Sequence, residues 1–545
     1  PDLLITNQLL YQLSYTSKLS QRAWLLYLCF PTLSSTFLKS AIFFIFLVIH
    51  PRKCYTNRKC PKRKVVPVMQ NEWNQEAVLQ GVMKEFSGLC RIPHPSGYEG
   101  TLAAYLTAQL NELGLSPVLD NVGNLICDVP GTKGLEQRSR LILQAHMDMV
   151  CVGTSDYDPL HDPIHPVLRG GYLCTDGRSS LGADCGIGLS SAMYLVRQQH
   201  PHVPLRLIFT VSEEHGLSGA KELSPDTLEG CAGLINLDCF HFGELMISSA
   251  GGCRQTFHRT PDRFFPMLDY PAILEISGLT GGHSGDDIGS GHANAAQLLL
   301  WLLQAIETPY ELAAVDAGTQ HNAIPSHGQA QLVMDARDLD AVTALIAQFQ
   351  QDARAMYPAD PGITVTLRPA DMPAMVLTVD ERDDFLALGG LIPCGVQSMH
   401  PLIPAVVGSS GNLGRLYLDG EHMELQSFLR SCNDGTMQAQ SEFLSLAAQG
   451  FGYQVESDTY PAWPGVQTDP LSELFLREGA KMGLSFKKNA VHVGLEPSIF
   501  HKLSPALPMI STGMDIFSPH SVHERVRLST IAPFTLLLGE CIAHW

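Results

Sequence analysis

Three short apolar runs constrain this chain more than any other feature: RLILQAHMDMV (Arg140–Val150), LRLIFTVSEE (Leu205–Glu214) and AGLINLD (Ala232–Asp238). Each is rich in Leu, Ile or Val without strict alternation, the pattern of strands buried on both faces of a sheet. GIGLSSAMYLVRQQH, between the first two, has the pattern of a helix. PSGYEGTLAAYLTAQLNELGL opens with capping-box spacing, Ser96 to Glu99, and closes its helix at Gly114. An amphipathic helix starts just after Met69. Helix and strand periods in alternation predict an α/β domain with a largely parallel sheet under helices.

Every one of these strands ends in polar side chains. His146 and Asp148 end the first, Glu213 and Glu214 the second, and Asp238 the third; Asp184, in SSLGADCGIG, precedes the helix. Ligands of open α/β sheets bind beyond the carboxyl ends of the strands, so these residues are expected to converge. Singly, each has an ordinary explanation: a helix cap for Asp184, a satisfied core histidine for His146, a solvated corner for the glutamate pair. Together on one sheet edge, so many acids are too costly to bury without cations.

A hydrolytic zinc site needs nitrogen and oxygen ligands and an open position for water. Two zinc ions need a bridging carboxylate, and a base that is not itself a ligand. His146 and Asp148 are two residues apart in an extended segment and face the same way, which suits Asp148 to orient the histidine. Adjacent Glu213 and Glu214 point in different directions, which suits a division into base and ligand.

Charge and cysteine usage narrow the class. The net charge is −18, yet residues 1–68 hold ten Lys/Arg and one Asp, so residues 69–545 carry 26 basic against 53 acidic residues, a net −27. An acidic body argues against nucleic acid and is compatible with cations. Fourteen cysteines without a CxxC fit a reduced cytoplasmic chain better than a disulfide framework. Residues 1–68 include AIFFIFLVI (Ala41–Ile49), too short to span a bilayer, which takes roughly 20 apolar residues. This segment is expected to be extraneous or a disordered extension, a membrane anchor being the alternative, with no membrane partner for the body of the chain.

LQAHMDMV, LGADCGIG, TVSEEHGLSGA, LINLD, LTGGHSGDDI, NAIP and SPHSVHERV occur in the order seen in the co-catalytic zinc peptidases related to carboxypeptidase G and the aminoacylases. RIPHPSGYE, QAHMDMV, GADCGIG and YPAW bring the resemblance closest to the aminoacyl-histidine dipeptidases, over essentially Met69–Trp545. The resemblance implies that Asp184 bridges two Zn2+ ions, for which Co2+ or Mn2+ are possible substitutes. It assigns His146 and Asp238 to one ion and Glu214 and His520 to the other, with Asp148 as the catalytic aspartate and Glu213 as general base. His523, three residues after His520, is the alternative ligand.

The resemblance also implies a lid inserted at residues 254–459, α+β and probably of two lobes, between catalytic segments 69–253 and 460–545. In the lid, His283 would stabilise the oxyanion, while Asn322 and Arg430 would engage the substrate's peptide and carboxylate; a guanidinium suits the last task. His321 stands before Asn322 where the family pattern has an arginine. The expected activity is hydrolysis of dipeptides of the Xaa-His type, such as β-alanyl-histidine, by a homodimer. Aminoacylases and tripeptidases would share the metal machinery; a non-catalytic binder would lack the base.

Overall fold

The computed structural model describes residues 74–545. The expectation for residues 1–68 lies outside them. Two large sheets organise the described chain.

The first has eight strands, ordered Val118–Leu119, Leu125–Val129, Leu205–Thr210, Arg140–His146, Cys231–Asn236, Met509–Ser511, Glu244–Ser249 and Lys487–Val491. Arg140–His146 runs parallel to both of its neighbours, and Cys231–Asn236 runs parallel to Met509–Ser511. Antiparallel ladders join Leu125–Val129 to its partners, so the sheet is mixed with a parallel centre. The three apolar runs are these central strands.

Alternation explains why they carry apolar residues on both faces. Leu141, Leu143 and Ala145 face a core shared with the helices Gln75–Leu89, Ala183–Arg197 and Leu528–His544. Ile142, Ile208 and Leu234 face the opposite layer, with Phe500 of the helix Pro497–Leu503. Both faces are covered, and each fully buried aliphatic side chain contributes about 1.5–3 kcal/mol.

One sequence expectation fails here. The helix Gly100–Glu112 has Glu99 as its N-cap residue without a side-chain cap, so the capping box is not formed. Ser96 Oγ donates instead to Asp148 Oδ2 at 2.7 Å, and Glu99 Oε1 accepts from the N–H groups of Gly97 and Ser212. Tertiary partners have taken both side chains from the local motif.

The second sheet is antiparallel and has nine strands, from Thr364–Pro369 through Tyr270–Ser277, Gly328–Met334, Tyr310–Ala317, Val407–Leu418, Met423–Ser431 and Gly251–Arg259 to Gln454–Tyr460, with Gly395–Met399 paired to Val407–Leu418. Tyr270–Ser277 alternates buried and partly exposed residues, as an antiparallel sheet covered on one face should. The helices Ala295–Ala305, Leu339–Met356, Val379–Leu391 and Asp434–Gly450 contribute to its core. Two strand-and-helix halves meet where Val315–Ala317 pair with Leu416–Leu418, so they share one continuous sheet. The chain passes from the first sheet to the second between Ser249 and Gly251 and returns after Tyr460. No helix among the described residues is long and apolar enough to cross a membrane.

Candidate metal centre

The strand Arg140–His146 delivers His146 to the sheet's carboxyl edge, where it is almost fully buried. Its Nδ1 donates to the backbone carbonyl of Asp148 at 2.9 Å and lies 3.4 Å from Asp148 Oδ1. Nε2 faces the other way, 3.0 Å from Asp184 Oδ1 and 3.9 Å from Asp238 Oδ1. With Nδ1 committed to a carbonyl, Nε2 is the nitrogen available to a cation.

Asp184 is shared between two histidines. Its Oδ1 faces His146, and its Oδ2 lies 3.0 Å from His520 Nε2, which also lies 2.8 Å from Glu214 Oε1. Ligand atoms of His146, Asp184 and Glu214 lie within 4.8 Å of one another, as do those of His146, Cys185 and Asp238. Glu213 belongs to neither set.

The turn after Leu205–Thr210 holds the two glutamates apart from solvent-exposed His215. Glu213 N–H donates to Asp148 Oδ1 at 3.0 Å and Glu214 N–H to Oδ2 at 3.2 Å. Gly219 closes the turn against Val211: a Cβ there would lie 2.2 Å from the Val211 carbonyl oxygen and 2.6 Å from Asn124 Oδ1. Asp148, expected to orient His146, thus also fixes the backbone of both glutamates.

Electrostatics at the cluster are those of acids crowded without enough positive charge. Burial, then Asp184, pushes Asp238 well above the usual carboxylate range, and the same causes raise Glu214. Glu213 is raised by burial and by Glu214 and Asp238, although His146 opposes the shift. Burial opposes protonation of His520, yet Asp184 and Glu214 raise it to about 11. Burial likewise opposes the ionised forms of Asp184 and Asp148, but their histidine partners hold both below the usual range. Asp238 Oδ1 is buried and accepts no hydrogen bond among the described residues. Mixed nitrogen and carboxylate donors with an orphaned buried oxygen fit divalent cations, which would replace the protons now shared among these groups.

Behind the cluster, Gln144 Nε2 donates to Glu496 and to Thr210, while Asn236 Nδ2 donates to Gln144 Oε1 at 2.6 Å. Burial pushes Glu496 up to about 7. Sequence reasoning missed this layer, and also Cys185 and the role of Ser96 as a partner of Asp148. Only Cys185 carried a signal, its adjacency to Asp184.

The residues expected to contact substrate form a separate group. Arg430 is buried over the Phe428 ring and donates from Nη1 to Tyr460 Oη at 2.9 Å, while its Nε has no hydrogen-bond partner among the described residues. His283 Nδ1 accepts from the N–H groups of Gly285 and Asp286, and the Asn322 carbonyl accepts from Ser284 N–H at 2.8 Å. His321 meets Phe428 edge to face. Among the described residues, no hydrogen bond or ion pair links His283, Asn322 or Arg430 to the acids and histidines of the metal cluster.

Comparisons with known proteins show what the whole chain is similar to. The cytosol non-specific dipeptidase of Escherichia coli (strain K12) is 31% identical over 467 residues, covering 84% of this chain and 96% of that protein. The chain belongs to the cytosol non-specific dipeptidase family. Residues 124–262, which include His146, Asp148, Asp184, Glu213, Glu214 and Asp238, match the model of Peptidase family M28, and residues 274–361 match the peptidase dimerisation domain. Among solved structures, aminoacylhistidine dipeptidase from Vibrio alginolyticus superposes with a TM-score of 0.77 at 28% identity, over 85% of this chain and 96% of that one. Aminopeptidase PepT from Bacillus cereus shares the fold, with a TM-score of 0.50 at 18% identity over 86% of this chain and 98% of that one. As a member of the dipeptidase family, the chain is a metal-dependent hydrolase of peptides.

Proposed function

We propose that this chain hydrolyses dipeptides of the Xaa-His type, such as β-alanyl-histidine, in the cytoplasm, as a homodimer with two Zn2+ ions per chain. The observation that carries the reading is Asp184, one oxygen toward His146 and the other toward His520, with Glu213 outside both donor sets. His146 and Asp238 would hold one ion, Glu214 and His520 the other, and Asp184 both. Bound there, the ions would supply Lewis-acid polarisation of the scissile carbonyl and a lowered pKa for water.

The chain's own groups do the rest. Glu213 takes the proton from the attacking water and returns it to the leaving amine. Asp148 holds Glu213 in reach through the backbone N–H and keeps the His146 ring turned. Residues 254–459 act as a lid that excludes water when substrate enters. His283 donates toward the developing oxyanion, a contribution of about 3 kcal/mol per donor. Asn322 and Arg430 hold the substrate's peptide and carboxylate, and the buried, unpaired Arg430 Nε supports that reading.

The test is turnover by chelator-treated and Zn2+-reloaded protein on β-alanyl-histidine, other dipeptides, a tripeptide and an N-acetyl amino acid. Metal-restored cleavage of dipeptides, fastest with histidine in second position, is expected. Cleavage of the acetylated substrate alone would make the chain an aminoacylase.

A further inference from the structure

Glu524 lies four residues beyond His520, is 2% exposed, and faces four consecutive backbone donors. The N–H groups of Leu181 and Gly182 donate to Oε2 at 2.7 and 2.9 Å, and those of Ala183 and Asp184 donate to Oε1 at 2.8 and 3.2 Å. Successive amides aimed at one point form an anion-binding nest, and a charged acceptor strengthens each bond. Gly182 lets the chain wrap the carboxylate: its φ is +69°, and a Cβ there would lie 2.8 Å from Met149 Sδ.

The segment so gripped ends on Asp184, the carboxylate shared by two histidines. The gripping residue belongs to the turn that carries one of them, since Glu524 N–H donates to the Ser521 carbonyl at 3.1 Å. Among the described residues no basic side chain forms an ion pair with Glu524. A buried acid held only by amides is costly where packing alone is needed, because an apolar side chain would fill the same space. Its return is positional: two segments from opposite ends of the catalytic unit are locked at one spacing.

We propose that Glu524 is a positioning residue that sets the separation of Asp184 and His520 and thereby the affinity and geometry of the metal centre. This rests on the reading of Asp184 and His520 as ligands.

The experiment is Co2+ binding to the full chain by chelator competition, with the visible spectrum of the saturated protein and thermal unfolding of the metal-free protein, for the parent, Glu524→Gln and Glu524→Asp. An amide offers one acceptor oxygen and turns its NH2 toward two N–H donors. Glu524→Gln is expected to weaken Co2+ binding by about 10–100-fold and to change the saturated spectrum. Glu524→Asp, which keeps the charge on a shorter arm, should recover part of both. A Gln variant that loses metal-free stability but keeps the parent's affinity and spectrum overturns the proposal. If the Gln variant does not fold, the Asp variant decides: weakened affinity with an altered spectrum supports the proposal, and parental values overturn it. A parent chain that binds no Co2+ would overturn the metal-centre reading itself, and the positioning role with it.

Discussion

His520 Nε2 lies 3.0 Å from Asp184 Oδ2, across 336 positions of sequence. The contact joins the last segment of the chain to the loop at the start of its best-buried helix, and it completes the cluster at the sheet's carboxyl edge. Five acids and two histidines then occupy one small volume.

Ser96 separates a local role from a catalytic one. Its Oγ donates to Asp148 at 2.7 Å rather than capping the helix Gly100–Glu112. Ser96→Ala is expected to lower kcat about 10-fold, as loss of an outer partner of a metal site does, with little change in melting temperature. A helix cap would behave in the opposite way, losing about 1 kcal/mol of stability with kcat kept. Steady-state kinetics beside thermal melts distinguish the two.

Gly219 is a packing constraint on the glutamate turn. Its missing Cβ leaves room for the Val211 carbonyl and for Asn124, which itself donates from Nδ2 to the Gly219 carbonyl at 2.9 Å. Gly219→Ala should destabilise the protein by about 1–3 kcal/mol in urea unfolding and reduce turnover by displacing Glu213. Unchanged unfolding midpoints would show that the turn yields freely.

His492 gives stability a pH dependence away from the metal centre. Burial, then the nearby Arg430, pushes it down to about 4, so it stays neutral in the folded chain at pH 6, while an unfolded histidine with a pKa near 6.5 takes up a proton. The unfolded state therefore binds more protons below about pH 6.5, and stability is lost as pH falls from there toward 4. The contribution of His492 to this loss is on the order of 2 kcal/mol across that window, so the stability of metal-free His492→Gln should fall less than that of the metal-free parent by about that amount. Unfolding midpoints at pH 7 and pH 5 measure both.

Much of this was legible before any coordinates, for reasons that stop at clear physical limits. Leu141, Ile142 and Leu143 declare a strand buried on both sides because successive residues, which face opposite sides, are all apolar, and acids at the ends of such strands declare a site. Local spacing misled at Ser96 and Glu99, where the motif for a helix cap is also compatible with long-range partners. Glu524 left no trace: its four partners lie at least 340 positions away, and nothing in SVHERV marks a carboxylate that binds amides. The strands and helices of the second sheet's region were readable one by one, but the pairing of Val315 with Leu418, which makes one sheet of two halves, is a register that sequence period alone does not specify.

The central claim is that two adjacent glutamates have different tasks, and metal content measured against turnover tests it most directly. Glu214 shares a donor set with His146 and Asp184 and lies 2.8 Å from His520, whereas Glu213 lies outside both sets. Glu213→Gln should retain two metal ions per chain while kcat falls by about 10²–10⁴-fold, the usual contribution of a general base. Glu214→Gln should lose metal on dialysis. Equal metal loss in both variants, or full turnover in Glu213→Gln, would contradict the division of labour between them.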